Sequence, residues 1–117
     1  MKQRGFQVVF YRQPDGTLTG YRAQGHTGYA EAGGDIVCAA VSALTESTLY
    51  GLRDVLKAPV MFEIDERKPL LEAALAPEAT GEQVGQAQLL LTTLLLSLQG
   101  IERNHPQNVR IIFEERR

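Results

Sequence analysis

Four glycines fall within the ten residues from Gly25 to Gly34, with no apolar period among them. Glycine populates backbone conformations that neither a strand nor a helix uses, so this run interrupts regular structure and divides the chain into two differently patterned parts. Ahead of it, Phe6 to Tyr11 reads Phe-Gln-Val-Val-Phe-Tyr, rich in β-branched and aromatic residues. Pro14-Asp15-Gly16 then supplies turn chemistry and Leu18 to Ala23 resumes the extended pattern, which predicts an opening β-hairpin. Behind it, Asp35 is a good N-cap, and Val37, Ala40, Val41, Leu44, Thr48, Leu52 and Val55 recur at steps of three and four. That spacing predicts a helix from Ile36 to Val55 with one buried face, weakened in its last turn by Gly51.

Pro59 to Ile64 and Pro69 to Ala76 are two further extended stretches around the charged turn Asp65-Glu66-Arg67-Lys68, and they read as a second hairpin, with a partly helical second stretch as the alternative. After Pro77, Thr80-Gly81-Glu82-Gln83 is a capping-box pattern. Val84, Ala87, Leu91, Leu94 or Leu95, Leu98 and Ile101 then mark a second helix ending near Arg103. Leu89, Leu90 and Leu96 lie off that stripe, so this helix is either sandwiched within the fold or half covered by a second subunit. Asn104-His105-Pro106 breaks it, and Val109 to Phe113 closes as a strand. The order ββαββαβ predicts an α+β fold, a largely antiparallel sheet packed with two helices.

At 117 residues, 44% hydrophobic and 22% charged, residues 1–117 fit one domain with a single core. Lys and Arg number 12 against 14 Asp and Glu. That balance lacks the basic surplus of a phosphate-backbone binder, so no direct nucleic-acid partner is expected. The apolar run Leu89 to Leu98, interrupted by Thr92, Thr93 and Ser97, is shorter than a bilayer span, and no secretory signal is visible, so no membrane partner is expected either. The one cysteine can form no intramolecular disulfide and suits a reducing compartment, which makes the cytoplasm the expected location.

That cysteine, Cys38, falls at the start of the first predicted helix, just after the glycine-rich run that carries His26. Unpaired N–H groups and the positive end of the helix dipole favour a thiolate there over the ordinary thiol, whose pKa is about 8.5. A thiol and an imidazole joined by twelve positions of glycine-rich chain are the minimum set for nucleophilic acyl transfer. A solitary cysteine on a helix is more often a small buried hydrophobe, and a loop histidine more often bonds backbone; the pair says more than either member. Asp35 serves as a cap, and assists chemistry only by facing the imidazole and stabilising imidazolium. Ser42, one turn beyond Cys38, is placed to bond the thiol or the i−4 carbonyl. His105 reads as structural. Cys38, His26, Asp35 and His105 show no zinc spacing, and the glycine run lacks a phosphate-loop ending, so neither a metal nor a cofactor is expected.

At Gly25-His26 and Gly34-Asp35-Ile36-Val37-Cys38-Ala39-Ala40-Val41-Ser42-Ala43-Leu44 the chain resembles the ribosomal-processing cysteine proteases of the Prp family. Length and element order agree as well. Thr27 differs from the alanine that often follows the family's histidine. The resemblance implies a cytoplasmic homodimeric endopeptidase that removes a short N-terminal extension from large-subunit ribosomal protein twenty-seven, in support of ribosome assembly. Its peptide substrate is that extension, with Cys38 as nucleophile and His26 as general base and then acid. Two rival expectations are a non-catalytic, dimeric ribosome-associated binding protein and a thiol hydrolase acting on another acyl substrate.

Overall fold

The first hairpin closes where Pro14-Asp15-Gly16 allows it. Gly16 takes a φ of +93°, the Gly16 N–H donates to the Gln13 carbonyl at 2.9 Å, and the Asp15 carboxylate accepts from the Thr17 N–H at 2.9 Å. The computed structural model describes residues 5–25 and 34–116. Its elements are β1 (Phe6–Arg12), β2 (Leu18–Gly25), α1 (Gly34–Tyr50) with a π-helical turn at Gly51–Val55, β3 (Val60–Asp65), β4 (Leu70–Leu75), α2 (Gly81–Asn104) and β5 (Val109–Glu115). The order is the predicted ββαββαβ, and the segment after Pro69 is strand.

The five strands lie in the order β3-β4-β2-β1-β5. Three of the four pairings are antiparallel; β5 runs parallel to β1, pairing Val109 with Phe6 and Phe113 with Phe10. Alternation along β1 sends Phe6, Val8 and Phe10 into one core with Val41 and Leu49 of α1 and Leu91 and Leu98 of α2. Both helices therefore cover the same face of the sheet. On the far face Tyr11 is fully buried, donating to the Glu72 carboxylate with the Arg116 guanidinium 3.6 Å from its ring centre.

The cap of α2 forms as its sequence dictates: the Thr80 hydroxyl accepts from the Gln83 N–H and the Gln83 side chain accepts from the Thr80 N–H. Ala87, Leu91, Leu94 and Leu98 are its buried stripe, and Leu89 and Leu96 point to solvent. Gln88 pairs with both main-chain polar groups of Leu18, at 2.9 and 2.8 Å, and ties the helix to the start of β2. At the other end the Glu102 carboxylate accepts the Ile111 N–H at 2.9 Å.

Two sequence expectations shift. The first helix begins at Gly34, so Asp35 falls inside its first turn instead of capping it. Val55, expected on the buried stripe, is 81% exposed. The cause is the π-helical turn, in which the Leu56 N–H reaches back five residues to the Gly51 carbonyl and shifts the helical period, so that Leu56 packs against the core in place of Val55. Gly51 itself sits against α2: a Cβ there would lie 3.0 Å from a Leu90 methyl, which would have to give by a few tenths of an ångström.

Candidate active site

Strand register gathers the ends of several elements at one edge of the molecule. Phe6 opens β1 beside Gly25, which closes β2, and beside Val109, which opens β5. One step further out, Leu70 pairs with Gln24 on one side and with Asp65 on the other. The β3–β4 turn, the exit of β2 and the start of β5 thus lie side by side. Gly25 is fastened there by donating its N–H to the Pro69 carbonyl at 2.7 Å, and a Cβ on it would come within 3.2 Å of both the Phe6 ring and Pro69.

α1 is positioned over this edge by its buried face. Val37 and Val41 are buried, and the Tyr21 hydroxyl of β2 donates to the Thr45 carbonyl at 2.6 Å. The Thr45 hydroxyl donates in turn to the Val41 carbonyl at 2.9 Å. Between these anchors Cys38 is the fifth residue of α1, half-buried and packed against the core. Helical side chains lean toward the N-terminus, so this position belongs with the first turn of α1. Its packing against the core agrees with a small hydrophobe, and its partial exposure leaves it accessible.

One turn further on, Ser42 borders a groove of about 210 Å³. Its helix wall continues through Thr45 and Glu46; its opposite wall is the end of the second hairpin, with Ile64, Asp65 and Glu66; Phe6 and Leu71 lie beneath. The groove therefore runs from the turn of α1 next to Cys38 toward the β3–β4 turn, with the exit of β2 at its border.

His26 is the residue after Gly25 and lies outside the described residues, as does the side chain of Asp35. His105 is the C-cap of α2: its N–H donates to the Ile101 carbonyl at 2.8 Å and its own carbonyl accepts from the Asn108 N–H at 2.9 Å, a structural role. Among the described residues no group of three His, Cys, Asp or Glu side chains is arranged to hold a metal ion. Ile64, Glu46 and Glu66 carry no motif in the sequence. Only the pairing of β2 with β4, nearly fifty residues apart, brings Ile64 and Glu66 to Glu46 of α1, so no local signal marks them.

The family model described as cysteine protease Prp matches residues 6–110. The ribosomal processing cysteine protease Prp of Bacillus subtilis is 27% identical over 105 residues, covering 90% of this chain and 94% of that one. Among solved structures, the essential ribosomal processing protease Prp of Staphylococcus aureus in complex with a substrate peptide superposes with a TM-score of 0.80 at 25% identity, covering 93% of this chain and 99% of that one. The same protein with a covalently linked product peptide gives 0.77 at 27% identity, with the same coverage. A Streptococcus mutans protein gives 0.80 at 28% identity, covering 96% and 99%.

Proposed function

Because the chain belongs to the Prp family of cysteine proteases, we propose that it is an endopeptidase acting through Cys38 and His26, and that it removes the N-terminal extension of large-subunit ribosomal protein twenty-seven. The observation that supports this reading is that Ser42, one turn beyond Cys38, lines the same groove as Pro69, whose carbonyl accepts the Gly25 N–H. His26 comes directly after Gly25 in the sequence.

In the mechanism, His26 takes the thiol proton as the Cys38 sulfur attacks the scissile carbonyl carbon. The oxyanion that forms is met by N–H groups at the open first turn of α1. Collapse breaks the C–N bond, the amine leaves with the proton held by His26, and the acyl group remains on sulfur. Water gives a proton to His26 and attacks the thioester, releasing the acid and restoring the thiol. Asp35 orients the imidazole and balances its charge. The covalently linked product peptide on the Staphylococcus aureus relative supports a covalent step.

The protein acts in the cytoplasm as a homodimer, with Leu89 and Leu96 on the outward face of α2 as its contact; they are 76% and 62% exposed and stand two turns apart. The deciding experiment incubates the protein, beside a Cys38→Ala control, with a peptide spanning the extension and the mature start of that ribosomal protein. Mass spectrometry is expected to show a single cut made only by the wild type. No cut, with Cys38 inert to alkylation at neutral pH, would overturn the reading.

A further inference from the structure

We infer that the groove between α1 and the β3–β4 turn is a specificity subsite, in which Ile64 takes an apolar side chain of the substrate and Glu46 and Glu66 select a neighbouring lysine or arginine. This rests on the protease reading above.

Size argues for a side chain. At about 210 Å³ the groove is below the roughly 300–1,000 Å³ of pockets that enclose a whole small ligand. Shape argues for an extended chain. The helix-facing side of β3 continues from Ile64 to Phe62, two residues along the strand, and both are about half exposed because β3 is an edge strand. An apolar strip thus runs beside α1 from the Cys38 end toward Arg53, whose guanidinium lies 5.0 Å from the Phe62 ring centre.

Charge argues for a cation. Three of the groove's lining residues are acidic and none is basic. Asp65 is occupied in its own turn, accepting from the Arg67 and Lys68 N–H groups at 3.0 and 3.3 Å. Glu46 and Glu66 take no part in the ion pairs of the described residues, which join Arg53 to Asp54 and Arg116 to Glu114. Two carboxylates at the mouth of an apolar trough favour a peptide that offers a cation next to the buried side chain, and repel an acidic one.

The test measures kcat/KM on the junction peptide and on versions in which each position is changed in turn to Ala, Lys or Glu. The enzymes are the wild type, Ile64→Ala, Glu46→Lys with Glu66→Lys, and Glu78→Lys as a charge control outside the groove. Ile64→Ala is expected to shrink the preference for one large apolar position roughly tenfold. The double lysine variant is expected to invert the preference at an adjacent position from Lys to Glu, with Glu78→Lys unchanged. Thermal unfolding checks that the variants fold. Binding of the same peptides to Cys38→Ala, monitored by fluorescence anisotropy, separates the two proposals. Wild-type cleavage with profiles unmoved by the groove variants would overturn the subsite and leave the protease. Peptide binding that the groove variants weaken, without cleavage by the wild type, would overturn the protease and leave the groove. Neither binding nor cleavage would overturn both.

Discussion

Tyr21, on a central strand, hands its hydroxyl proton to the main-chain carbonyl of Thr45 in the middle of α1, 2.6 Å away and wholly buried. Burial pushes this phenol well above its ordinary range, so it remains a donor at any pH the protein meets. The bond spans the layer between sheet and helix and sets the depth at which α1, and Cys38 with it, rests on the strands. Tyr21→Phe removes the bond and leaves the ring in place. The expected cost is about 1 kcal/mol, read as a lower urea midpoint with an unchanged slope.

Cys38→Ala separates packing from chemistry. The side chain is half-buried, so losing the sulfur is expected to cost about 1 kcal/mol or less in stability. Cleavage of the junction peptide should fall by at least about a thousandfold, because removal of a nucleophile eliminates the covalent route. Denaturation and single-turnover assays on the same preparation check both.

Alkaline pH reports on the far face. The Tyr11 phenol is pushed up to about 12 by burial first and then by the Glu72 carboxylate to which it donates, with Arg22 and Arg116 pulling the other way. A folded-state value raised above the unfolded value of about 10 means that the native protein holds this proton more tightly than the unfolded chain does. The contribution is therefore complete below the unfolded value and is lost as pH rises from there through the folded one. Melting temperature should drop across that interval, and Tyr11→Phe should flatten the drop relative to wild type.

The outward face of α2 predicts an oligomeric state. Sedimentation at micromolar concentration should give a dimer for the wild type and a monomer for Leu89→Lys with Leu96→Lys. Both side chains are mostly exposed in one copy, so the substitutions should change the stability of the monomer by no more than about 1 kcal/mol. A monomeric wild type would remove this face as the contact.

Much of the fold is legible in the sequence because its signals are local. The Pro14-Asp15-Gly16 turn, the capping box at Thr80 and the stripe from Ala87 to Leu98 each act within a few residues, and each forms as its pattern predicts. Val55 departs from its pattern because a π-helical turn changes the period in mid-helix, and Gly51 signals only that something weakens there. Cys38 is legible as a candidate nucleophile from its place after the glycine run. The groove beside it is not, since Glu46, Ile64 and Glu66 have no pattern of their own and meet only through strand pairing across the sheet.

Because β5 lies against β1, a strand near the start of the described residues is completed by one near their end. A nascent chain that has not yet reached Val109 leaves one side of β1 without its hydrogen-bonding neighbour, and the Phe6 N–H without the Asn108 carbonyl that it meets at 2.7 Å. The platform under α1 is then unfinished, and contacts this distant in sequence form late in folding. The platform on which α1 and Cys38 rest is therefore whole only when residues about a hundred positions apart in the chain have met.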